Sequence, residues 1–173
     1  RISTTGDNEA SIFASGDSKV TLYNTHIENK KSSTRGVLVG DSSTISLTNS
    51  SISSVNNNTL ISGSGNLEVS LSNVDLSKSK NQRISASSDL TVNIQNGTSF
   101  DGYTSQENDG SININLTKSS WNITKNSNLF SLSLNENSFL TFNFGNGDKF
   151  YYISAGSVFM DKSSQIRVDL VEK

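Results

Sequence analysis

The chain has 173 residues, of which 32% are apolar and 17% are charged, and its formal net charge is −2. A compact globular domain contains more apolar residues than this, whereas a disordered chain usually carries a higher net charge, so the composition favours a thin, elongated core. The sequence has no cysteine, which excludes disulfides and thiolate metal sites; no apolar run long enough to cross a bilayer; and no basic stripe of the kind that binds nucleic acid.

A short motif recurs along the chain, in the order apolar, any, apolar, any, asparagine, any, any, apolar. The first four copies begin at Val20, Ile45, Val69 and Val92, and their asparagines are Asn24, Asn49, Asn73 and Asn96. The fourth copy has one inserted residue before its last apolar position. Two further copies begin at Ile114 and Leu132 and carry Lys118 and Glu136 in place of the asparagine.

A second apolar signal precedes each of the first four copies by eight residues. It consists of Ile12-x-Ala14, Val37-x-Val39, Ile61-x-Gly63 and Ile84-x-Ala86. From copy to copy the spacing of the motif falls from 25 residues (positions 20 to 45) to 18 residues (positions 114 to 132). Periods in this range, with apolar residues two apart and polar bends between them, are typical of a β-solenoid and not of helices.

We therefore predict an all-β fold, a right-handed parallel β-helix of about six rungs. Equivalent residues of successive rungs should stack in inner columns, one running from Val20 to Ile114 and the next from Leu22 to Leu116. Asn24, Asn49, Asn73 and Asn96 fall at bends, where asparagine tolerates the left-handed backbone conformation, and we expect them to form a structural ladder and not a binding site. Their replacement at Lys118 and Glu136 predicts that the bend changes there.

Two loops interrupt the repeats. Residues 28–35 form a polar turn in which Lys30, Lys31 and Arg35 make a small basic spot, and we favour a solvated loop over a contact with a glycan or an anion. Residues 101–111 break the pattern. We therefore divide the chain into regular rungs, residues 1–104, and a terminal region, residues 105–173.

The terminal region contains the only tryptophan and most of the phenylalanines. Trp121 and Ile123 read as one short strand, Leu132 and Leu134 as another, and Phe139 occupies the last apolar position of the sixth copy. Beyond it, residues 140–144 and 150–152 alternate around Gly145-Asn146-Gly147-Asp148, which predicts a C-terminal β-hairpin. We expect this aromatic hairpin to cap the open end of the solenoid.

Residues 120–134 resemble a motif near the passenger C-terminus of pertactin-like (type V) autotransporters. The matching features are a tryptophan, a strand, a bend carrying Ser-x-apolar and then Leu-x-Leu, and the aromatic segment behind them is also similar. The matching positions are Trp121, Ser127, Leu129, Leu132 and Leu134. The resemblance covers roughly residues 105–170, and the chain departs from the family pattern by being richer in Ser, Asn and Lys.

The resemblance implies an autochaperone, a segment that folds first outside the outer membrane and templates the rest of the passenger. It also implies a bacterial surface or secreted location, a whole protein that is an adhesin or virulence factor, and two partners within the same protein, namely the upstream passenger and an outer-membrane β-barrel. The full passenger would meet a host-cell surface or matrix. We expect this chain itself to be a monomer, a segment of a longer protein, and to need no cofactor, metal or nucleic acid.

The alternative is a fragment of a β-helix enzyme acting on polysaccharide, a lyase or hydrolase, or a carbohydrate-binding protein similar to a phage tailspike. A glycosidase needs paired carboxyl groups, and Asp17, Asp41 and Asp89 fall in bends without an acidic neighbour on a predicted strand. His26 is the only histidine, so neither a catalytic triad nor a histidine metal site is expected. We therefore predict that the chain is not an enzyme.

Overall fold

A computed structural model of the protein describes residues 1–32, 35–143 and 151–169. These residues form strands and bends, and among them no helix is long and apolar enough to span a bilayer. The strands, in chain order, are β1 (Ile2–Thr4), β2 (Ile12–Ser15), β3 (Lys19–Tyr23), β4 (His26–Asn29), β5 (Leu38–Asp41), β6 (Thr44–Thr48), β7 (Ser51–Ser54), β8 (Thr59–Gly63), β9 (Leu67–Ser72), β10 (Gln82–Ala86), β11 (Asp89–Gln95), β12 (Ser99–Gln106), β13 (Ser111–Thr117), β14 (Ser120–Ile123), β15 (Ser127–Asn135), β16 (Phe139–Asn143), β17 (Ile153–Met160) and β18 (Gln165–Asp169).

The strands stack into three parallel sheets, so the chain is a β-solenoid of about seven turns, which confirms the predicted fold class. Sheet A contains β1, β4 and β7; sheet B contains β2, β5, β8, β10, β12, β14, β16 and β18; sheet C contains β3, β6, β9, β11, β13, β15 and β17. Because sheet A stops at β7, the early turns have three strands and the late turns have two.

The two predicted inner columns are present in sheet C. Val20 pairs with Ile45, Ile45 with Val69, Val69 with Val92, and Val92 with Ile114. The neighbouring column runs from Leu22 through Leu47, Leu71 and Ile94 to Leu116. From the second rung onward these side chains are fully buried, and burial of each contributes about 1.5–3 kcal/mol.

In sheet B the register differs by one residue from the sequence prediction. Ile12 pairs with Leu38, and Leu38 pairs with Ile61, so Leu38 and not Val37 continues the column. Val37 is nevertheless fully buried, and its N–H lies 3.1 and 3.2 Å from the carbonyl oxygens of Thr59 and Leu60 in the next rung. The segment predicted as a breaking loop also differs, since residues 101–106 belong to β12 and residues 107–110 form the turn.

The predicted C-terminal hairpin is wrong. Strand β16 has β14 on one edge and β18 on the other, both parallel, so neither edge is left for an antiparallel partner. Strand β17 lies in sheet C instead, parallel to β15, and adds a seventh strand there. The predicted turn at residues 145–148 lies outside the described residues.

The described aromatic residues of the tail do not close the end of the stack. Val158 and Met160, which continue the two inner columns below Leu132 and Leu134, are 57% and 46% exposed. Phe159 alternates with them and therefore faces outward, opposite Ser133. The described part of the tail extends the solenoid by one more rung, in which Phe142 and Tyr151 pack partly buried against the core while Val158 and Met160 stay exposed.

Candidate functional site

The residues that resemble the autotransporter motif all point into the core. Trp121 and Ser127 are 0% exposed, and Leu129, Leu132 and Leu134 are at most 4% exposed. Parallel pairing places them in the fifth and sixth rungs of the repeat, where the turns have two strands. The motif is therefore a packed segment of the solenoid, and its side chains offer no surface to a ligand.

Trp121 lies between two other large apolar side chains of its column, Phe100 above and Leu140 below. Its ring centre is 5.9 Å from that of Phe100, with a 38° tilt between the planes, within the range in which aromatic pairs attract. Its indole Nε1–H donates to the carbonyl of Gly102 at 3.0 Å, which satisfies the one polar group of the side chain. Gly102 has to be glycine, since a Cβ there would lie 2.1 Å from the carbonyl oxygen of Gln82.

The repeat predicted that Phe139 occupies, in the next rung, the position equivalent to Trp121. The strand register shows that this prediction is wrong. Ser120 pairs with Phe139, so Leu140 lies under Trp121 and is 2% exposed. Two consecutive left-handed residues, Glu136 and Asn137, insert one residue into the bend and turn Phe139 outward. There its ring lies 3.7 Å from the guanidinium carbon of Arg167.

The asparagine bends adopt the predicted conformation, with φ of 49° to 53° at Asn24, Asn49, Asn73 and Asn96. Asn73 donates its side-chain amide to Asn49 at 2.9 Å, whereas Asn96 donates to Ser72 at 2.8 Å, so the amide ladder is only partial. The predicted change of the bend is absent at Lys118, which keeps a φ of 51°, but present at Glu136, where the φ of 52° is followed by a second left-handed residue, Asn137. The side chains of Lys118 and Glu136 form an exposed ion pair of 3.1 Å across the two rungs.

In this column of bends, each backbone N–H donates to the rung that follows in sequence. The bonds are Asn24 to Thr48, Asn49 to Ser72, Asn73 to Gln95, Asn96 to Thr117 and Lys118 to Asn135, all to carbonyls at 3.0–3.2 Å. At Glu136 the acceptor is the carboxylate of Asp161, at 2.7 Å. These bonds between rungs satisfy the backbone donor of each left-handed residue in the column.

Buried hydroxyl groups just after these bends extend the same pattern. Thr25 donates its N–H to Ser50, Val74 to Thr98, Ser119 to Ser138 and Ser138 to Ser164, at 3.0–3.4 Å, always to a side chain of the following rung. The Thr98 hydroxyl has one proton to donate and lies 2.8 Å from the carbonyl oxygen of Gln95 and 3.2 Å from that of Leu71. Sequence reasoning missed this column, although a Ser or Thr follows most of the bend residues within two positions and could have revealed it.

Ser127 belongs to a second buried hydroxyl column at another corner. Its Oγ accepts the N–H of Thr104 at 3.2 Å and donates to the carbonyl of Lys125 at 3.2 Å. Its own N–H donates to the carbonyl of Tyr152 in the next rung, at 2.9 Å. Two rungs higher, Ser79 accepts the N–H of Ser54 and donates to the carbonyl of Ile52. The serine of the motif therefore joins three consecutive rungs.

Asp161 ends the bend column, because its carboxylate accepts the N–H of the last bend, Glu136. We call this contact the Asp161 clamp. Hydrogen bonds from the Glu136 N–H, and then from Ser164 and Ser163, lower the pKa of Asp161 from its usual value of 3.8 to about 2. Because these donors stabilise the charged form, the carboxylate is the state that holds the sixth bend to the seventh rung.

The polar residues considered for chemistry lie on the outer faces. His26 Nδ1 and Ser51 Oγ are 2.8 Å apart, a pair that the sequence did not reveal. Asp75 is in register with Ser51 and not with His26, whereas in a triad the carboxylate holds the histidine. Hydrogen bonds from the Ser77 hydroxyl and backbone N–H lower the pKa of Asp75.

The basic spot is partly neutralised, since Lys30 lies 3.6 Å from Glu28 and Lys31 lies 3.3 Å from Asp7. Arg1 also binds Glu28, which lowers the pKa of that carboxyl. In the described part of the chain, no group of three or more His, Cys, Asp or Glu side chains is placed to hold a metal ion. Comparison with protein-family models, with curated proteins and with solved structures found no significant match.

Replacing Thr98 by valine should destabilise the protein by about 1–3 kcal/mol, because it keeps the shape but deprives the buried N–H of Val74 of its acceptor. Thr98→Ser, which retains the hydroxyl, is the matched control and should lose far less. Urea unfolding of both variants measures the difference. Equal free energies of unfolding for the two variants would show that the Thr98 hydroxyl does not contribute to stability.

The free energy of unfolding should fall as the pH is lowered from about 4 to about 2. The pKa of Asp161 is depressed in the folded state, so its contribution is complete above the unfolded pKa and is lost as pH falls through the folded value of about 2. Asp161→Asn should be less stable at neutral pH and should flatten this part of the profile. If the free energy of unfolding of Asp161→Asn depended on pH as that of the wild type does, the Asp161 clamp would not contribute to stability.

Proposed function

We propose that the terminal region, residues 105–173, nucleates folding of the solenoid and forms the membrane-proximal stalk of a type V autotransporter passenger. The whole protein is then an adhesin or other virulence factor of the bacterial surface, exported through the periplasm and the outer membrane. Its partners are the upstream passenger, its own outer-membrane barrel and, through the full passenger, a host-cell surface or matrix. The motif at residues 120–134 supports this assignment by resemblance.

The observation that carries the proposal is the direction of the bend hydrogen bonds. In the column of bends from Asn24 to Glu136, each N–H finds its acceptor in the rung that follows in sequence. If the C-terminal rungs fold first, each incoming bend of this column meets acceptors already in place, whereas in the opposite order its N–H stays unpaired until the next rung folds, which costs more than an unpaired carbonyl. At the corner that precedes sheet C some bends donate the other way, as from Ser64 to Gly40 and from Ser87 to Gly63, so the preference for this order belongs to one column.

Packing provides a second reason for the same order. The two largest fully buried side chains, Trp121 and Phe100, meet between β12 and β14, within the two-stranded turns. Shorter turns alone do not decide the order, since closing 18 residues instead of 25 saves only about 0.3 kcal/mol of loop entropy. Burial of the aromatic pair is worth several times more, so nucleation depends on Trp121 and not on turn length.

A carbohydrate-active or carbohydrate-binding protein is a second candidate, favoured by a groove on the outer side of sheet C. The groove has a volume of about 840 Å³ and is lined by carboxyl, amide and lysine side chains, among them Asp17, Lys19, Glu68, Asp89 and Asn93. Glu68 accepts the amide of Asn93 at 2.9 Å. Incubation with acidic and neutral polysaccharides, followed by analysis of chain length and by titration calorimetry, separates this candidate from a stalk, which neither cleaves nor binds them.

Trp121→Ala should lower stability by about 3–5 kcal/mol and, because the residue lies in the nucleus, should act mainly by slowing refolding. Leu47→Ala, a buried truncation in an early rung, should act mainly by speeding unfolding. Phe130→Ala, in the same segment as Trp121 but 61% exposed, is the neutral control. Stopped-flow refolding and unfolding rates test the three variants.

In the full-length protein, the same variants should differ in the amount of passenger displayed at the cell surface, and Trp121→Ala should impair display more than Leu47→Ala. If Leu47→Ala slowed refolding and blocked display as strongly as Trp121→Ala, the nucleating role would be lost and only a stability effect would remain.

Amide hydrogen exchange should show greater protection in residues 105–173 than in residues 1–100, because the nucleating rungs open last. Mass spectrometry of peptic peptides at increasing urea concentration resolves the two regions. Earlier exchange in the C-terminal region would contradict the proposed order of folding.

A further inference from the structure

Asn96 is followed by Gly97, and both residues are exposed at the fourth bend, with φ of 53° and 87°. An asparagine followed by glycine is chemically labile, because no side chain obstructs attack of the glycine nitrogen on the asparagine amide carbon. Asn49 and Asn73 have the same backbone conformation but precede Ser50 and Val74. Asn96 is thus the one of the four bend asparagines whose sequence permits rapid cyclisation.

The folded bend holds the two reacting groups toward opposite rungs. The Gly97 N–H donates to the carbonyl of Lys118 in the following rung, at 2.7 Å. The side-chain amide of Asn96 donates to the hydroxyl of Ser72 in the preceding rung, at 2.8 Å. Attack requires the Gly97 nitrogen to turn toward Cγ of Asn96, so at least the first of these bonds has to break.

We propose that Asn96 is a latent modification site, an asparagine that converts to aspartate or isoaspartate whenever its bend is not paired with the following rung. The Gly97 nitrogen forms a bond to Cγ of Asn96, the bond from Cγ to Nδ2 breaks, and ammonia leaves with the proton from Gly97. Water then opens the cyclic imide at either carbonyl. The step needs no other reactant and is independent of the proposed function.

Formation of isoaspartate would distort the rung. It inserts an additional backbone carbon between residues 96 and 97, so the Asn96 and Gly97 N–H groups no longer align with the carbonyls of Thr117 and Lys118. A chain that remains unfolded after synthesis therefore loses the ability to form a regular fourth bend.

The full chain is incubated at mildly alkaline pH, in buffer and in concentrated urea, and peptide mapping by mass spectrometry quantifies isoaspartate at each asparagine. Conversion at Asn96 should be at least ~10-fold slower in buffer, because the bend has to open first, and Asn73 should remain unmodified in both. Asn146-Gly147, which lies outside the described residues, is resolved as a separate peptide. Equal rates at Asn96 in buffer and in urea would overturn the proposal.

Gly97→Asn is the matched control, since Asn137 follows Glu136 in the equivalent place with φ of 62°. It should abolish rapid conversion in urea, where folding plays no part, and persistence of that conversion would contradict the chemistry. Chains converted in urea and then refolded should melt below Asn96→Asp, which carries the charge without the additional carbon. An identical melt would show that isoaspartate does not damage the bend.

Discussion

Everything in this fold depends on hydrogen bonds between rungs at the bends. A strand in a parallel sheet bonds both neighbours, but the left-handed residues from Asn24 to Glu136 leave the strand pattern, and their N–H groups bond the following rung. Here the acceptors are the carbonyl of the next rung, the carboxylate of Asp161 or a buried hydroxyl such as Thr98. No rung is complete alone, which is why the stability of a solenoid is collective.

The same requirement makes one column of bends directional. Strand bonds run both up and down the axis, so sheets alone give no reason for one order of assembly. The N–H donors from Asn24 to Glu136 all point to the following rung, and Ser127 and Ser79 add to this direction, since each accepts an N–H from the preceding rung. At the corner before sheet C bonds also run in the reverse direction, since Ser64 and Ser87 donate to the preceding rung. The apolar columns then gain their burial as each rung is added, without deciding the direction.

The sequence predicted the strands and their inner columns well, because an apolar residue at every second position has only one way to face a core. It also located the asparagine bends and their left-handed conformation, but not the number of residues in each bend. The bend at Glu136 and Asn137 has one additional residue, so Leu140 and not Phe139 lies beneath Trp121. The alternation of apolar residues in the strands does not reveal this insertion. A glycine-rich turn between alternating segments likewise suits a hairpin and a step from sheet B to sheet C, and only the occupied edges of β16 distinguish them. Ser and Thr were so frequent that their use as buried acceptors could not be separated from solvated turns.

The bend column also explains why asparagine is favoured there and yet not required. A left-handed conformation costs a residue other than glycine on the order of 1–3 kcal/mol, and asparagine reduces this cost through its own side chain. Lys118 and Glu136 have no such advantage, but they adopt the same φ because their N–H groups bond the following rung like those of the asparagines. The backbone hydrogen bond between rungs therefore fixes the conformation of the bend, and the side chain only changes the free-energy cost of the left-handed conformation. By that reasoning the asparagine ladder is a consequence of the stacking and not its cause.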